Sequence, residues 1–184
     1  MIKEDDEYSG VRVKFRGYMG RAEAAMQLDV GFGDNVVPAP VQVEVPTLLD
    51  LPAPRLRAYC RETTIAEKLH AMTVLGMLNG RMKDFYDPWF LSRRFSFEYA
   101  SLRAAISATF NARDTAVESK PVALTQEFGV QAQERWSAFL RKSGLGDAPC
   151  SLAEVVAAVA EFLLPLLGDG LPGAQWPAGG PWRK

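Results

Sequence analysis

The chain has 184 residues, 48% hydrophobic and 23% charged, which excludes wholesale disorder and gives length for one domain with a sizeable core. Lys and Arg total 21 against 22 Asp and Glu, a net charge of -1, so the overall field is too weak to recruit nucleic acid or an anionic membrane, and any polyanion must meet a local patch. One histidine, His70, excludes multi-histidine zinc sites, and two cysteines, Cys60 and Cys150, are too few for a disulfide framework and fit a reducing cytoplasm.

In chain order, the run Met1 to Glu7 is acidic where a secretory leader would be basic then apolar. Gly10 to Tyr18 alternates Val11, Val13 and Phe15 with Arg12, Lys14 and Arg16, the period of a half-buried strand. Met26, Leu28 and Val30 predict a second strand with Gln27 and Asp29 on its other face, joined to the first by a hairpin over Met19 to Glu23. Val41 to Val45 predicts a third strand, and Pro46, Pro52 and Pro54 mark a connecting loop. The period then becomes helical. Thr64 and Glu67 read as a capping box, Ile65, Leu69, Met72 and Gly76 line one stripe, and Asn79-Gly80 ends the helix. Further helices are expected from Tyr99 to Phe110, from Gln131 to Arg141 with Gly144 as a stop, and from Ser151 to Leu164 with Ser151 and Glu154 as caps. The longest apolar stretch, Val155 to Leu167, is broken by Glu161 and Pro165, so no membrane span is expected. The Pro- and Gly-rich tail bearing Trp176 and Trp182 is expected to be a docked strap or a mobile end. Strands followed by helices make an α+β chain.

Three places carry candidate chemistry. Asp29 would project a carboxylate from a rigid strand, which suits a hard cation, although a lone Asp on a wet strand face is the plain alternative. Lys68 falls inside the apolar stripe of its helix, so its ammonium must snorkel out, pair with an aspartate or meet a ligand phosphate. Arg81 to Asp87 is the densest charged and aromatic cluster; Asp84 and Asp87 would share a helical face, unless Asp87 is the N-cap of a helix that begins at Pro88. His70 lies on the side of the helix opposite Lys68 and reads as packed or solvated, and with no Gly-x-Ser-x-Gly or Cys-His signature acyl transfer has no support.

The runs Leu28 to Asp34, Glu62 to Ala71 and Arg81 to Asp87, with Thr109 to Arg113 and the tryptophan-bearing tail, together resemble the AbiEii/AbiGii nucleotidyltransferase toxin family. The resemblance implies a polymerase-β-like nucleotidyltransferase sheet followed by a helical C-terminal half. It also implies transfer of a nucleotide from a nucleoside triphosphate with Mg2+, an RNA acceptor with tRNA among the candidates, and a cognate antitoxin, not necessarily in direct contact, in phage defence. By position, Asp29 would be a metal-holding catalytic carboxylate, Lys68 would contact the triphosphate, and Asp84 and Asp87 would support catalysis, with Arg81 and Lys83 beside the substrate. On this reading residues 1–50 are the strand-rich part of the core, 51–165 the helical region and 166–184 the tail.

The likeness departs at the front. The family's Gly-Ser turn leading to an Asp-x-Asp pair has no counterpart, because Ser9-Gly10 is reversed and Asp5-Asp6 has the wrong spacing, so the expected sheet is partial and the expected transferase incomplete. Pro88 after Asp87 is a lesser departure. Two readings follow: a nucleotidyltransferase toxin, or a non-catalytic remnant that uses the same fold to meet a partner. An RNA acceptor would need a local cluster such as Arg81, Lys83, Arg93 and Arg94 in so neutral a chain.

Overall fold

Alternating apolar and basic side chains make β1, Gly10–Met19, and a second alternating run makes β2, Ala22–Gly31. They pair antiparallel with Val11 opposite Val30, Val13 opposite Leu28 and Phe15 opposite Met26, which gathers the apolar side chains on one face. Arg12 and Lys14 stand opposite Asp29 and Gln27 on the other face, as the alternation requires. The turn is tighter than expected, since pairing continues to Met19 and Ala22. The computed structural model describes residues 10–31, 36–168 and 170–184. Asp5, Asp6, Ser9 and the segment from Phe32 to Asp34 therefore lie outside the described residues. The chain divides into two units, Met1–Asn35 and Val36–Lys184, and the hairpin belongs to the first.

The second unit opens with another hairpin, β3 (Val41–Glu44) against β4 (Arg55–Ala58), with Val43 opposite Leu56. The proline-rich segment is its loop, closed by Val45 N–H on the Pro54 carbonyl at 3.0 Å. Strand β4 was not expected, because four residues hold too little alternation to register as a period.

Helix α1, Arg61–Leu75, starts earlier than the Thr64-Glu67 pair predicts. Its cap is Cys60, whose thiol accepts from Thr63 N–H at 3.5 Å, while the Thr64 hydroxyl donates to the Cys60 carbonyl at 3.0 Å. Glu67 is thereby freed from capping, and it pairs with Arg113 at 2.6 Å. Helix α2, Lys83–Arg94, decides between the two readings of Asp87: Asp84, Asp87 and Pro88 all lie within it, and Asp87 is not an N-cap. Pro88 removes the N–H that would reach the Asp84 carbonyl, a loss that the helix tolerates because Phe85, Pro88 and Trp89 are buried on its inner face.

Strand β5 (Phe97–Glu98), α3 (Tyr99–Ala112), α4 (Gln126–Gln131), α5 (Gln133–Ser143) and α6 (Leu152–Leu163) complete the layer. Ser151 caps α6 through Glu154 N–H as predicted, and Gly144 ends α5 with φ 64, a left-handed turn that a Cβ would strain. Apolar stripes of α1, α2, α3 and α6 meet in one core that includes Ile65, Leu69, Phe85, Ile106, Val159 and Phe162. The tail is part of that core. Strand β6, Gln175–Trp176, pairs with β5, and the buried Trp176 indole donates to the Ser92 carbonyl at 2.7 Å. Trp182 donates to the Phe162 carbonyl at 2.9 Å, so the strap alternative holds. Short antiparallel strands followed by helices make the α+β fold expected from the pattern.

Candidate active site

The side chain of Lys68 leaves α1 within the stripe of Ile65, Leu69 and Met72, and all three of these are fully buried. Its side chain is 26% exposed, as for a lysine that buries most of its stem along apolar surface. The partner comes from the start of α2. Between the helices, the Asn79 amide oxygen accepts from Arg81 N–H at 2.7 Å, and Arg135 donates to the Asn79 carbonyl at 3.0 Å, which fixes the connection. Phe85, fully buried, stacks on Phe128 with centroids 4.8 Å apart and so pins the first turn of α2.

That turn carries Asp84 inward. Its Oδ1 accepts from Lys68 Nζ at 2.8 Å, and Asp87 Oδ2 lies 3.7 Å from the same ammonium. Lys83 Nζ, one turn from Asp87, bonds both of its oxygens at 2.6 and 2.8 Å. Asp84 is 3% exposed, and its second oxygen, Oδ2, is buried with no hydrogen-bond partner. Leaving such an acceptor bare costs about 1–3 kcal/mol, so an orphan of this kind asks for an explanation in function. Its place in the first turn of α2 offsets part of the cost, because the helix N-terminus favours negative charge. The result is a polarised site: a sealed carboxylate behind, and a lysine ammonium held by it and open on one side.

The predicted residues therefore separate. Lys68, Asp84, Asp87 and Lys83 converge, and Arg81 is exposed at the edge of the same turn. Asp29 sits in the first unit on an exposed strand face, accepting from Arg12 at 2.6 and 3.1 Å and from Gln27 at 2.9 Å. The Arg12 hydrogen bond holds the Asp29 carboxyl below the usual carboxylate range. His70 contacts Thr115 at 3.0 Å and packs edge-on to Phe110, the packed reading rather than a base. Thr109 to Arg113, part of the family likeness, ties α3 to α1 through the Arg113 contacts with Glu67 and the Thr109 carbonyl. Asn79 is the residue the sequence reading missed. It is wholly buried, its amide nitrogen has no partner, and Asn-Gly was read only as a helix end.

Residues 1–162 match the sequence model of the family described as "Nucleotidyl transferase AbiEii toxin, Type IV TA system". The chain belongs to the AbiEii nucleotidyl transferase toxin family. No curated protein and no solved structure gives a significant match. Membership makes this a nucleotidyltransferase of a toxin-antitoxin system, which implies a nucleotide substrate and an antitoxin partner. The AbiEii match stops short of the tail, although Trp176 and Trp182 are built into the same core.

Nucleotidyl transfer is chemistry that a divalent cation serves by bridging and neutralising phosphate oxygens. Among the described residues, no group of three or more His, Cys, Asp or Glu could hold a metal ion. Asp29 is committed to Arg12 and Gln27, Asp87 to two lysines and one Asp84 oxygen to Lys68. This donor set does not fit a resident metal. Among the described residues, too, no helix is long and apolar enough to cross a membrane.

Proposed function

We propose that this AbiEii-family chain moves a nucleoside monophosphate from a nucleoside triphosphate onto the end of an RNA, tRNA among the acceptors, in the cytoplasm and in phage defence. In this reading Lys68 holds the triphosphate, Asp84 and Asp87 hold Lys68, and Lys83 and Arg81 flank the phosphates. The observation that carries it is the convergence of Lys68, Asp84 and Asp87 around a buried carboxylate oxygen that has no partner. An ammonium fixed from behind by a sealed carboxylate costs little reorganisation when a phosphate arrives, the condition under which electrostatic stabilisation is most effective.

Mg2+ enters this reading as part of the substrate, bound to the triphosphate, since Mg2+ keeps several waters and takes one or two protein carboxylates besides phosphates. Asp29 stays with Arg12 and Gln27 in the first unit and takes no part in this reading. The acceptor hydroxyl oxygen then bonds to the α-phosphorus as its proton passes to solvent water, the bond from that phosphorus to the bridging oxygen breaks, and pyrophosphate leaves with that oxygen. Lys68 bears on the negative charge of the triphosphate.

The test is transfer of label from an NTP radiolabelled at the α-phosphate to total tRNA with Mg2+. The native chain labels RNA and Lys68→Ala does not; equal labelling by both, or none by the native chain, refutes the proposal. A second reading, a binding protein, is favoured by the apolar face of the first hairpin, where Phe15 is 47% and Leu28 55% exposed. A two-stranded hairpin is marginal without cover. Native mass spectrometry decides: a stable complex together with absent transfer supports that reading, and a lone monomer that transfers label refutes it.

A further inference from the structure

The outer face of α2 continues past the acidic turn. Lys83, Asp87, Phe90 and Arg94 follow one another at spacings of four and three residues, so they lie along one stripe. At its far end the Arg94 guanidinium lies over the Phe90 ring at 4.5 Å, and Phe90 stacks on Tyr86 at 5.7 Å with planes 27° apart. Arg93 lies over Trp89 at 5.5 Å. From the start of α1, Arg61 lies over Phe95, the residue directly after Arg94, at 3.9 Å. All three arginines are exposed.

Helix electrostatics accounts for two of these charges, because cations near a helix C-terminus are stabilised, and Asp147 stands 3.7 Å from Arg94. It does not account for Arg61. That residue opens α1, where the helix dipole disfavours a cation, yet it is turned onto Phe95 beside the other two. In a chain of net charge -1, three guanidinium groups held over aromatic rings form a local concentration of positive charge. A guanidinium stacked on a ring keeps its outer face and its in-plane N–H donors, which suit a nucleobase and a phosphate respectively. Asp87 and Arg94 are seven residues apart, about 10 Å along the helix, which matches roughly three nucleotides of a stacked strand at 3.4 Å each.

We propose that Arg61, Arg93 and Arg94, held over Phe95, Trp89 and Phe90, form the subsite for the single-stranded end of the RNA acceptor. The strand's last nucleotide lies at the Lys83 and Asp87 end of α2 and its preceding phosphates and bases on the arginines. The inference rests on the transferase reading. It places the acceptor along α2 and against the start of α1, so that α2 joins the nucleotide site to the acceptor site.

The experiment is fluorescence anisotropy of the native chain, Arg93→Ala/Arg94→Ala and Arg61→Ala with a labelled single-stranded RNA and a blunt RNA hairpin, across a salt series. The single strand should bind the native chain more tightly than the blunt hairpin. The double variant should bind it at least tenfold more weakly, with the slope of log affinity against log salt reduced by about 1.4, two phosphates at roughly 0.7 each. Arg94→Lys, which keeps the charge but not the plane, should retain the native slope and still bind more weakly. Native-like binding by the double variant, or equal affinity for the blunt hairpin, overturns the subsite. Calorimetry of the native chain with Mg2+ and each NTP separates the failures: nucleotide binding without RNA binding overturns the subsite alone, and neither overturns the transferase reading with it.

Discussion

Replacing Lys68 with methionine removes the cation from a carboxylate that is 3% exposed while keeping most of the apolar stem. Breaking a buried pair by removing one partner costs about 3–5 kcal/mol, because the remaining charge stays desolvated. Lys68 is 26% exposed, so water offsets part of this, and the lower end, about 3 kcal/mol, is the working figure. For a chain of this length that is a fall of about 6–12 °C in Tm. The partner variant Lys68→Met/Asp84→Leu removes both charges and the bare oxygen, and buried pairs replaced by apolar residues are often neutral or better, so the double variant should return to within about 1 kcal/mol of the native chain. Urea unfolding of all four members of the cycle measures this coupling. A loss below about 1 kcal/mol for Lys68→Met, with the double variant no better than additive, would show an ordinary surface ion pair and refute the account of the site.

Gly129→Ala should destabilise by about 1–3 kcal/mol, read by urea unfolding, because its new Cβ would stand 2.7 Å from the Ala153 Cα and force α4 away from α6. Trp176→Ala should cost about 3–5 kcal/mol by the same assay, since it empties a site that is 4% exposed and removes one of the two donors to the Ser92 carbonyl; a near-silent change would mean that the tail is not structural. Burial, aided by Asp147, raises the Tyr86 phenol above its ordinary 10.0, so the unfolded chain releases that proton first; stability is full below about pH 10 and is lost as pH rises through the folded value. Tyr86→Phe should abolish that alkaline loss in pH-dependent unfolding. Asp29 titrates below its usual range because Arg12 bonds its charged form, so the hairpin's small gain is present above the ordinary carboxylate value and lost as pH falls through the folded one. Carboxyl NMR should find Asp29 back near its ordinary value in Arg12→Gln.

Periodicity made most of the fold legible. Ile65, Leu69 and Met72 recur at the helical spacing and are buried, and Val11, Val13 and Phe15 alternate and share one face. Short elements were not legible: β4 and β5 have too few residues to show a period, and α4 is six residues long. Capping was read wrongly at α1, and the N-cap alternative for Asp87 failed at α2, each for a physical reason. A thiol at Cys60 did the work expected of a hydroxyl, and the packing of Phe85 and Trp89 carried a helix through Pro88 against its local preference. At the site, the helical wheel marked Lys68 as misplaced in an apolar stripe, and the aspartates one helix away explain how it stays there. Asn79 and the unsatisfied Asp84 oxygen were beyond a one-dimensional reading, because burial of a polar atom depends on contacts distant in sequence.

The most direct test of the central claim is NTP binding, with Mg2+, by the native chain and by Lys68→Met/Asp84→Leu, the pair replacement expected to keep its stability. If Lys68, set by Asp84, holds the triphosphate, the double variant will show native circular dichroism and at least tenfold weaker binding of the NTP that the native chain prefers. Equal affinity in the two folded proteins would show that the buried pair serves the fold alone.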